Sequence, residues 1–543
     1  MEWKGSVRGA DQCLPLAGVD VVARDAGLNE LGRAQSNAAG EWELTTSQQP
    51  RDFRFSHRGF DDKIVASSSL KETTRLLESS LVGYYDKLWF YPGESLAARV
   101  YSPQDFQSRL FRHGIRREEV LDLGTTGRTI QEIPDDWFVE TGVNWDETLR
   151  YQIPPDARPG LYSLNCISDS DEFAIPMIVS TPPEQRGVTS KLLVVASTTT
   201  WQAYNFWGGR NLYRSCEDCL PVDVPLSRPS RALRFKSKLK ANLPQPILGL
   251  LRRMLGKEAT PSEPEWRFQR LSGLRPCTNA ALEQTDPLLP FMNHLAAGEW
   301  RLLAWLEKQA IPYDIVSCHE LHLDPNLLQN YRAVLLNTHS EYWSRKMYKG
   351  LRKFHLEQRG WLLNISGNSI FREVELDAEG GLRCVGMSFA ETCADETEIL
   401  CVRHTDSDNG SCAPFRILRP EHWAFANAPL AADLVFGKRS LNQNTRDQKV
   451  HFDAARLGLR EFLDGEGASG WETDKRSRTA PKDAIVIAKG QNPFGGADMV
   501  IREPGDTRGG LFSASSITFS GSLLIDDVAS TLVQNVIHRA LHE

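Results

Sequence analysis

The stretch Leu192-Leu-Val-Val-Ala-Ser-Thr-Thr-Thr-Trp-Gln-Ala-Tyr204 decides the fold of most of this chain. Its five leading apolar residues are typical of a strand that is buried on both faces, and a run of hydroxyl side chains follows them at once. From Lys191 onward, such buried runs alternate with segments of helical periodicity. This alternation predicts an α/β domain with a mostly parallel sheet over residues 190–543.

The same alternation continues to the end of the chain. Further strands are predicted at Tyr313-Asp-Ile-Val, Ala333-Val-Leu-Leu, Trp361-Leu-Leu-Asn-Ile and Ala484-Ile-Val-Ile, and near Phe512. Helices are predicted over about residues 294–308, 342–358 and 528–541, where apolar residues recur at helical spacing. The order of these elements resembles that of a glutamine amidotransferase core. Residues 236–290 are basic and punctuated by proline, and they are predicted to form an insertion.

The residues that precede this domain follow a different pattern. Short runs such as Val19-Asp-Val-Val-Ala-Arg alternate between apolar and polar residues, and Gly, Asn and Pro-Gly turns separate them. Two β-sandwiches are therefore predicted, over residues 1–82 and 83–182, with a linker at Thr181-Pro-Pro-Glu. The first resembles the transthyretin-like or carboxypeptidase-regulatory sandwich, and the second resembles an Ig-like one. The whole chain is expected to be a multidomain α+β protein.

Composition restricts the class of protein and its partners. The chain has 543 residues and a formal net charge of −7, so it lacks the basic excess of a nucleic-acid-binding protein. No stretch approaches the ~18 apolar residues that cross a bilayer, and the N-terminus lacks the pattern of a signal peptide. A cytoplasmic protein with reduced cysteines is expected. The single CxxC motif, Cys216 to Cys219, has no second pair at zinc-finger spacing.

Polar clusters follow three of the predicted strands, where ligands gather in open parallel sheets. The first strand leads into Trp201 and Tyr204, which are either site residues or packing aromatics. The third leads into Thr338-His-Ser-Glu-Tyr-Trp-Ser344, in which His339 and Glu341 are spaced to lie on one side for metal ligation or proton transfer. Alternatively, Thr338 or Ser340 caps the next helix and Glu341 favours its positive end.

Two further clusters have a functional and a purely structural interpretation. The fourth strand ends in Ile365-Ser-Gly-Asn368, where Asn368 is either a hydrogen-bonding site residue or part of a turn. Later, the stretch Gly467-Ala-Ser-Gly-Trp-Glu-Thr-Asp474 places Glu472 after a glycine-rich turn. Acidic residues in loops are usually solvated, and this is the alternative for Glu472.

Taken in order, these motifs resemble the C-terminal domain of the N,N-dimethylformamidase large (beta) subunit. The similarity runs from about Lys191 to the C-terminus and rests on five stretches: Trp201-Gln-Ala-Tyr-Asn with Gly208-Gly, His339-Ser-Glu-Tyr-Trp-Ser, Ser366-Gly-Asn, Gly470-Trp-Glu-Thr-Asp, and Phe512-Ser-Ala-Ser-Ser-Ile-Thr-Phe-Ser-Gly-Ser-Leu. The resemblance implies an amide-hydrolysing enzyme with a mononuclear Fe(III) held by two tyrosine phenolates and one glutamate. Hard oxygen donors suit such an ion, which can activate a water molecule.

The resemblance also implies a role for each matching residue. Tyr204 and Glu341 would be metal ligands. His339 would transfer a proton or polarise the carbonyl, Asn368 would orient the substrate or its oxyanion, and Glu472 would be a general base or acid.

The second tyrosine ligand has no match. The family's Ser-x-Arg-Pro-Tyr-like segment corresponds best to Ser227-Arg-Pro-Ser or to Leu274-Arg-Pro-Cys277, and neither contains a phenol. Tyr213 could replace it in space, or Cys277 could bind another divalent metal as a thiolate. A chain without any metal is the remaining alternative.

Three functional hypotheses follow from these observations. The first is a metal-dependent hydrolase of a small amide or formamide. The second is a dimethylformamidase-like binding or scaffold protein that has lost its metal, and the missing tyrosine favours it. The third uses Cys277 or Cys318 as a nucleophile with His319 or His339. A homo-oligomer is compatible with the sequence, and the need for the family's small partner subunit is left open.

Overall fold

A computed structural model gives the fold of the chain. It describes all residues except 12, 135–137, 214, 216–264, 283–285, 289–293, 387, 393, 406–407, 409–410 and 443–465. The CxxC motif at Cys216 and Cys219, the Ser227-Arg-Pro-Ser segment and most of the predicted insertion lie outside the described residues. The chain is multidomain, with many β-sheets and few helices. The domain boundaries drawn from the sequence remain predictions.

The N-terminal residues form two small sheets that face each other. Their strands are β1 (Glu2–Gly9), β2 (Asp20–Arg24), β3 (Glu30–Gln35), β4 (Glu41–Thr45), β5 (Asp52–Ser56), β6 (Lys63–Ala66) and β7 (Thr73–Leu76). Among the described residues, the sheet orders are β4-β1-β7 and β3-β2-β5-β6. Trp42 and Leu44 of β4 are buried and alternate with exposed neighbours, and they pack with Phe53 and Phe55. The alternation of apolar and polar residues in this stretch therefore reflects a strand with one buried face and one exposed face.

The next residues form two larger sheets. Their strands are β8 (Val82–Tyr85), β9 (Trp89–Phe90), β10 (Ser95–Tyr101), β11 (Phe106–His113), β12 (Arg117–Thr126), β13 (Leu149–Gln152), β14 (Gly160–Ile167) and β15 (Glu172–Val179). In the described part of the chain, these sheets have the orders β13-β10-β8 and β12-β11-β14-β15-β9. Their hydrophobic core is continuous with Ala203, Trp207 and Tyr342 of the C-terminal region. The two regions thus share buried surface.

The C-terminal region contains the remaining strands and most of the α-helices. The strands are β16 (Leu192–Ala196), β17 (Asp314–Ser317), β18 (Ala333–Thr338), β19 (Tyr342–Trp343), β20 (Trp361–Ser366), β21 (Arg372–Leu376), β22 (Leu382–Cys384), β23 (Val402–Thr405), β24 (Cys412–Ala413), β25 (Phe415–Ile417), β26 (Val435–Phe436), β27 (Ser469–Gly470), β28 (Thr473–Arg476), β29 (Ile485–Gly490), β30 (Asp498–Arg502) and β31 (Leu511–Ser513). The α-helices of the described chain are α1 (Phe138–Thr141), α2 (Thr198–Tyr204), α3 (Ala296–Lys308), α4 (Cys318–Leu323), α5 (Arg345–Leu356), α6 (Phe389–Thr392), α7 (Thr397–Leu400) and α8 (Asp527–His542).

The main sheet of this region is parallel in only one half. Within the described residues its order is β17-β16-β18-β20-β31-β30-β29-β25-β26. The strands from β17 to β31 pair in parallel, with Val194 opposite Leu335 and Leu335 opposite Leu363. The strands from β31 to β26 pair antiparallel. The prediction of a mostly parallel sheet is therefore wrong for the half from β31 to β26. Short connections there, such as that between β29 and β30, form hairpins without a crossover helix.

Helix starts also differ from the predicted ones for local reasons. The helix expected from residue 342 begins at Arg345, because Tyr342 and Trp343 form the short strand β19. Ser344 caps α5 by accepting a hydrogen bond from the Met347 amide. In the described chain, no helix is both long enough and apolar enough to cross a membrane.

Candidate active site

The candidate site lies where the parallel strands end. Several non-glycine residues in the loops there have positive φ angles, a backbone conformation that L-residues seldom adopt. They are Thr338 (φ 46°), Asn368 (50°), Ile370 (51°), Trp471 (62°) and Ser515 (64°). Backbone strain of this kind collects at functional sites, where surrounding contacts hold it in place.

A buried cluster of three ionisable side chains forms the centre of the site. Nε2 of His339 lies 3.3 Å from a carboxylate oxygen of Glu341 and 3.3 Å from one of Glu472. His339 is fully buried, and both glutamates are nearly so. The structure therefore places His339 and Glu341 on one side of their loop. Glu472 is not a solvated loop residue.

The helix-capping interpretation of this loop is wrong. The side chain that caps α5 belongs to Ser344. The Thr338 hydroxyl is hydrogen-bonded to Ser520 at 2.8 Å, and Ser340 accepts a hydrogen bond from Nε1 of Trp343 at 2.9 Å. Glu341 is therefore available to the cluster.

Asn368 joins two loops at this site. Its Nδ2 donates a hydrogen bond to Oε2 of Glu472 at 2.9 Å, and its backbone amide donates to Oδ1 of Asp474 at 2.8 Å. Among the described residues, Oδ1 of Asn368 has no hydrogen-bond partner although it is buried. This oxygen is an acceptor that a bound ligand could use.

Tyr204 reaches the cluster from α2. Its hydroxyl donates a hydrogen bond to Oε2 of Glu341 at 2.8 Å. The start of α2 is held by Glu299, whose carboxylate accepts bonds from the Ser197 amide at 3.1 Å and from Nε1 of Trp201 at 2.9 Å. Burial raises the pKa of Glu299 to about 8. Trp201 is a buried packing residue, whereas the Tyr204 hydroxyl contacts the cluster.

The charges in the cluster depend on one another. Burial disfavours a charge on His339, but the carboxylates of Glu341 and Glu472, each 3.3 Å from its Nε2, outweigh burial and raise the pKa of His339 to about 9. For Glu472, burial is likewise outweighed by the contact with His339, and its pKa falls to about 2. Burial, followed by the charge of Glu341, raises the pKa of Tyr204 well above its usual range. At neutral pH the cluster thus holds an imidazolium, an ionised Glu472 and a neutral phenol.

Sequence reasoning missed His294. Its Nδ1 lies 2.6 Å from Nδ1 of His339, and its ring packs against those of Tyr204 and Trp471. In the sequence, His294 stands only at the start of a predicted helix, 45 positions before His339. No local motif marks it, because the contact depends on the packing of α3 against the sheet.

Three residues are candidates for the position of the missing second phenol. The ring of Tyr213 stacks on Tyr204 with centroids 5.7 Å apart. Tyr342 is fully buried, its ring centroid lies 6.0 Å from that of Tyr204, and its hydroxyl has no partner in the described structure. Cys277 packs in a hydrophobic core with Trp201, and burial raises its pKa to about 11. An apolar setting of this kind disfavours the thiolate that metal binding requires.

The cysteine-nucleophile hypothesis has little support from the geometry. Burial raises the pKa of Cys318 to about 12. The adjacent His319 ring is hydrogen-bonded to Thr198 at 2.8 Å and to Gln202 at 3.1 Å. Cys277, Gln202 and His319 line a separate cavity of about 280 Å³ between α2 and the β8–β9 loop, and none of the clustered residues lines it.

Comparisons with known proteins bear on the family of the chain. The sequence model of the family described as "N,N-dimethylformamidase beta subunit-like, C-terminal" matches residues 109–531. No curated protein matches the chain. Similar solved structures include E. coli alpha-2-macroglobulin (11% identity, 32% of this chain and 11% of that chain, TM-score 0.12), a ThuA-like protein from Bacteroides uniformis (11%, 46% and 87%, 0.27) and a DUF3823 family protein from Bacteroides ovatus (9%, 33% and 97%, 0.12). The chain thus spans about a tenth of the length of the alpha-2-macroglobulin.

Proposed function

Since the chain belongs to the N,N-dimethylformamidase beta subunit-like family, we propose that it is a hydrolase of the C–N bond of a small linear amide or formamide. The observation that carries this proposal is the buried convergence of His339, Glu341 and Glu472, with Asn368 and Tyr204 bonded to the two glutamates. A proton donor and an ionised base are the groups that general acid–base catalysis of amide hydrolysis uses.

Tyr204 and Glu341 are the residues that would hold the mononuclear Fe(III) implied by the family. The donor set fits in part, because a phenol and a carboxylate are hard oxygen donors and their oxygens already lie 2.8 Å apart. Such an ion, when bound, acts as a Lewis acid and lowers the pKa of a water molecule. The third ligand is unassigned, with Tyr213 and Cys277 as the sequence-based candidates, and another divalent metal is the alternative.

The other three residues have roles that follow from their contacts. Ionised Glu472 accepts a proton from the attacking water, and Asn368 orients this carboxylate through its Nδ2. Protonated His339 donates a proton to the departing amine. Because Nδ2 of Asn368 is already bonded to Glu472, the free Oδ1 can accept an N–H of the substrate. We therefore favour substrate orientation over oxyanion binding as the role of Asn368.

Elemental analysis of the purified protein tests the metal, together with Glu341→Ala and an optical scan for tyrosinate-to-iron charge transfer. About one iron per chain, lost in the variant, would support the hydrolase and justify a panel of small amides. Lack of metal after reconstitution with iron would contradict the metal-dependent mechanism.

A second candidate function is a metal-free binding or scaffold protein of the same family. The observation that favours it is Cys277, which stands in an Arg-Pro segment where the family has tyrosine and which lies in an apolar core. A folded chain that binds no metal and turns over no amide would support this function.

A further inference from the structure

His294 and His339 form a nitrogen-to-nitrogen contact. Their Nδ1 atoms lie 2.6 Å apart. Two bare nitrogen lone pairs repel at this distance, and two N–H groups would clash, so the contact requires one proton between the rings. One histidine therefore donates through Nδ1, and the other accepts.

The opposite edge of His339 faces two acceptors. Its Nε2 lies 3.3 Å from Glu341 and 3.3 Å from Glu472. Both distances are slightly longer than a normal hydrogen bond, and Nε2 of His339 has no hydrogen-bond partner among the described residues. The orientation of the imidazole is then fixed only if something holds its other nitrogen, which is the atom that His294 contacts.

Packing holds His294 in place. Its ring centroid lies 4.7 Å from that of Tyr204 and 4.7 Å from that of Trp471. It stands two residues before α3, and the first turn of that helix contains Glu299, which anchors α2. The start of α3 thus contributes to the site in two ways. His294 contacts His339, and Glu299 holds the start of α2, the helix that carries Tyr204.

We propose that His294 is a positioning residue of this site. It shares one proton with Nδ1 of His339 and thereby holds Nε2 of His339 between Glu341 and Glu472. Ligand histidines and catalytic histidines in proteins are commonly fixed through their second nitrogen in this way. The effect on turnover rests on the proposed amide hydrolysis, whereas the shared proton does not.

Nuclear magnetic resonance of the full-length chain tests the shared proton directly. The protein is labelled with ¹⁵N in histidine only and freed of paramagnetic ions with a chelator. We expect one strongly downfield proton that correlates with two histidine nitrogens, with a coupling across the hydrogen bond. This signal must disappear in both His294→Leu and His339→Leu. A folded wild-type protein without it would overturn the proposal.

Turnover then separates positioning from bulk packing. His294→Leu keeps a similar volume but no polar atom, and we expect kcat to fall by roughly 10- to 100-fold with a small change in KM. His294→Asn keeps a polar atom near the Nδ1 position and should recover most of this loss. His322→Leu is the control, because His322 is bonded to Ser344 at 2.8 Å outside the cluster. Equal losses in His294→Leu and His294→Asn would overturn positioning by hydrogen bond. A wild-type protein that shows the shared proton but cleaves no amide would contradict only the proposed function.

Discussion

Asn368 donates a hydrogen bond from Nδ2 to Oε2 of Glu472 at 2.9 Å, although 104 positions separate the two residues. The bond joins the loop after β20 to the segment before β28. Asn368 has a positive φ angle, and so does Trp471, the residue directly before Glu472. The carboxylate is thus aimed by two strained loops that the central sheet brings together.

Replacement of Glu472 by Gln should remove the base and preserve the shape of the site. The amide oxygen of the new side chain could still accept from Asn368, so we expect the fold to persist while kcat falls by about 10²- to 10⁴-fold. The measurement is kcat on the best amide of a panel, with a thermal melt of both proteins. Glu466→Gln is the matched control, because Glu466 is exposed. Near-normal turnover in Glu472→Gln would exclude Glu472 as the base.

Loss of the Tyr204 hydroxyl should remove the proposed phenolate ligand. We expect Tyr204→Phe to bind less iron and to lose the tyrosinate charge-transfer absorption, since its hydroxyl lies 2.8 Å from Glu341. Iron content and the visible spectrum are the measurements. Tyr348→Phe removes a phenol from a different hydrophobic cluster and serves as the control. An unchanged spectrum in Tyr204→Phe would show that this residue is not a ligand.

Glu320 links the second pair of sheets to the C-terminal region. Its buried carboxylate accepts hydrogen bonds from Arg186 at 2.9 Å and from the Tyr91 hydroxyl at 2.9 Å. Glu320→Ala would leave the buried Arg186 charge unpaired, and we expect it to destabilise the protein by about 3–5 kcal/mol. Denaturant unfolding measures this change. Glu184 is an exposed residue two positions before Arg186. Replacement of Glu184 by Ala should leave stability nearly unchanged.

The parallel half of the main sheet could be predicted from the sequence because its strands are continuous apolar runs. Leu192–Ala196, Ala333–Thr338 and Trp361–Ser366 are buried along their whole length, so composition alone marks them. In the antiparallel half, strands were predicted at Ala484-Ile-Val-Ile and near Phe512, but their antiparallel pairing and the other strands were missed. Its strands, such as Phe415–Ile417, are short and partly exposed, and pairing direction depends on which strands meet in space.

For the site, spacing allowed His339 and Glu341 to lie on one side because both belong to one loop, but it left helix capping as an equal alternative. Glu472 was assigned only through family resemblance, since an acidic residue after a glycine-rich turn is usually solvated. His294 could not be found at all. Its role depends on a contact between distant segments, and one histidine at a helix start carries no local signal.

His355 should make stability fall in mild acid. This buried side chain on α5 is hydrogen-bonded to the Gly360 carbonyl at 3.1 Å, and burial lowers its pKa from 6.5 to about 4. The folded state thus binds fewer protons than the unfolded state between these two values. The stability contribution is complete above pH 6.5 and is lost as pH falls toward 4, by roughly 3 kcal/mol.

The matching experiment compares the pH dependence of unfolding in two variants. His355→Gln cannot titrate, so between pH 6.5 and 4 its unfolding free energy should depend less steeply on pH, by about 1.4 kcal/mol per unit. His538→Gln, which removes an exposed histidine of α8, is the control for a His-to-Gln substitution outside the core. Identical slopes in all three proteins would mean that His355 is protonated in the folded state as readily as in the unfolded chain.

The free Oδ1 of Asn368 should make the enzyme prefer amides that carry an N–H. This oxygen is buried and lacks a partner among the described residues, and an unpaired buried acceptor costs about 1–3 kcal/mol. A secondary formamide can donate to it, whereas a tertiary formamide cannot. We therefore expect kcat/KM for N-methylformamide to exceed that for N,N-dimethylformamide by about 10-fold or more.

Asn368→Ala decides whether Oδ1 is the cause of this preference. The variant also frees the Glu472 carboxylate, which should slow both substrates alike, so the ratio of the two kcat/KM values isolates the contribution of Oδ1. We expect the ratio to fall toward one in Asn368→Ala and to stay at its wild-type value in Asn326→Ala, a residue of an exposed turn. A preference that survives the loss of Asn368, or a wild-type enzyme that prefers the tertiary amide, would show that another group reads the substrate nitrogen.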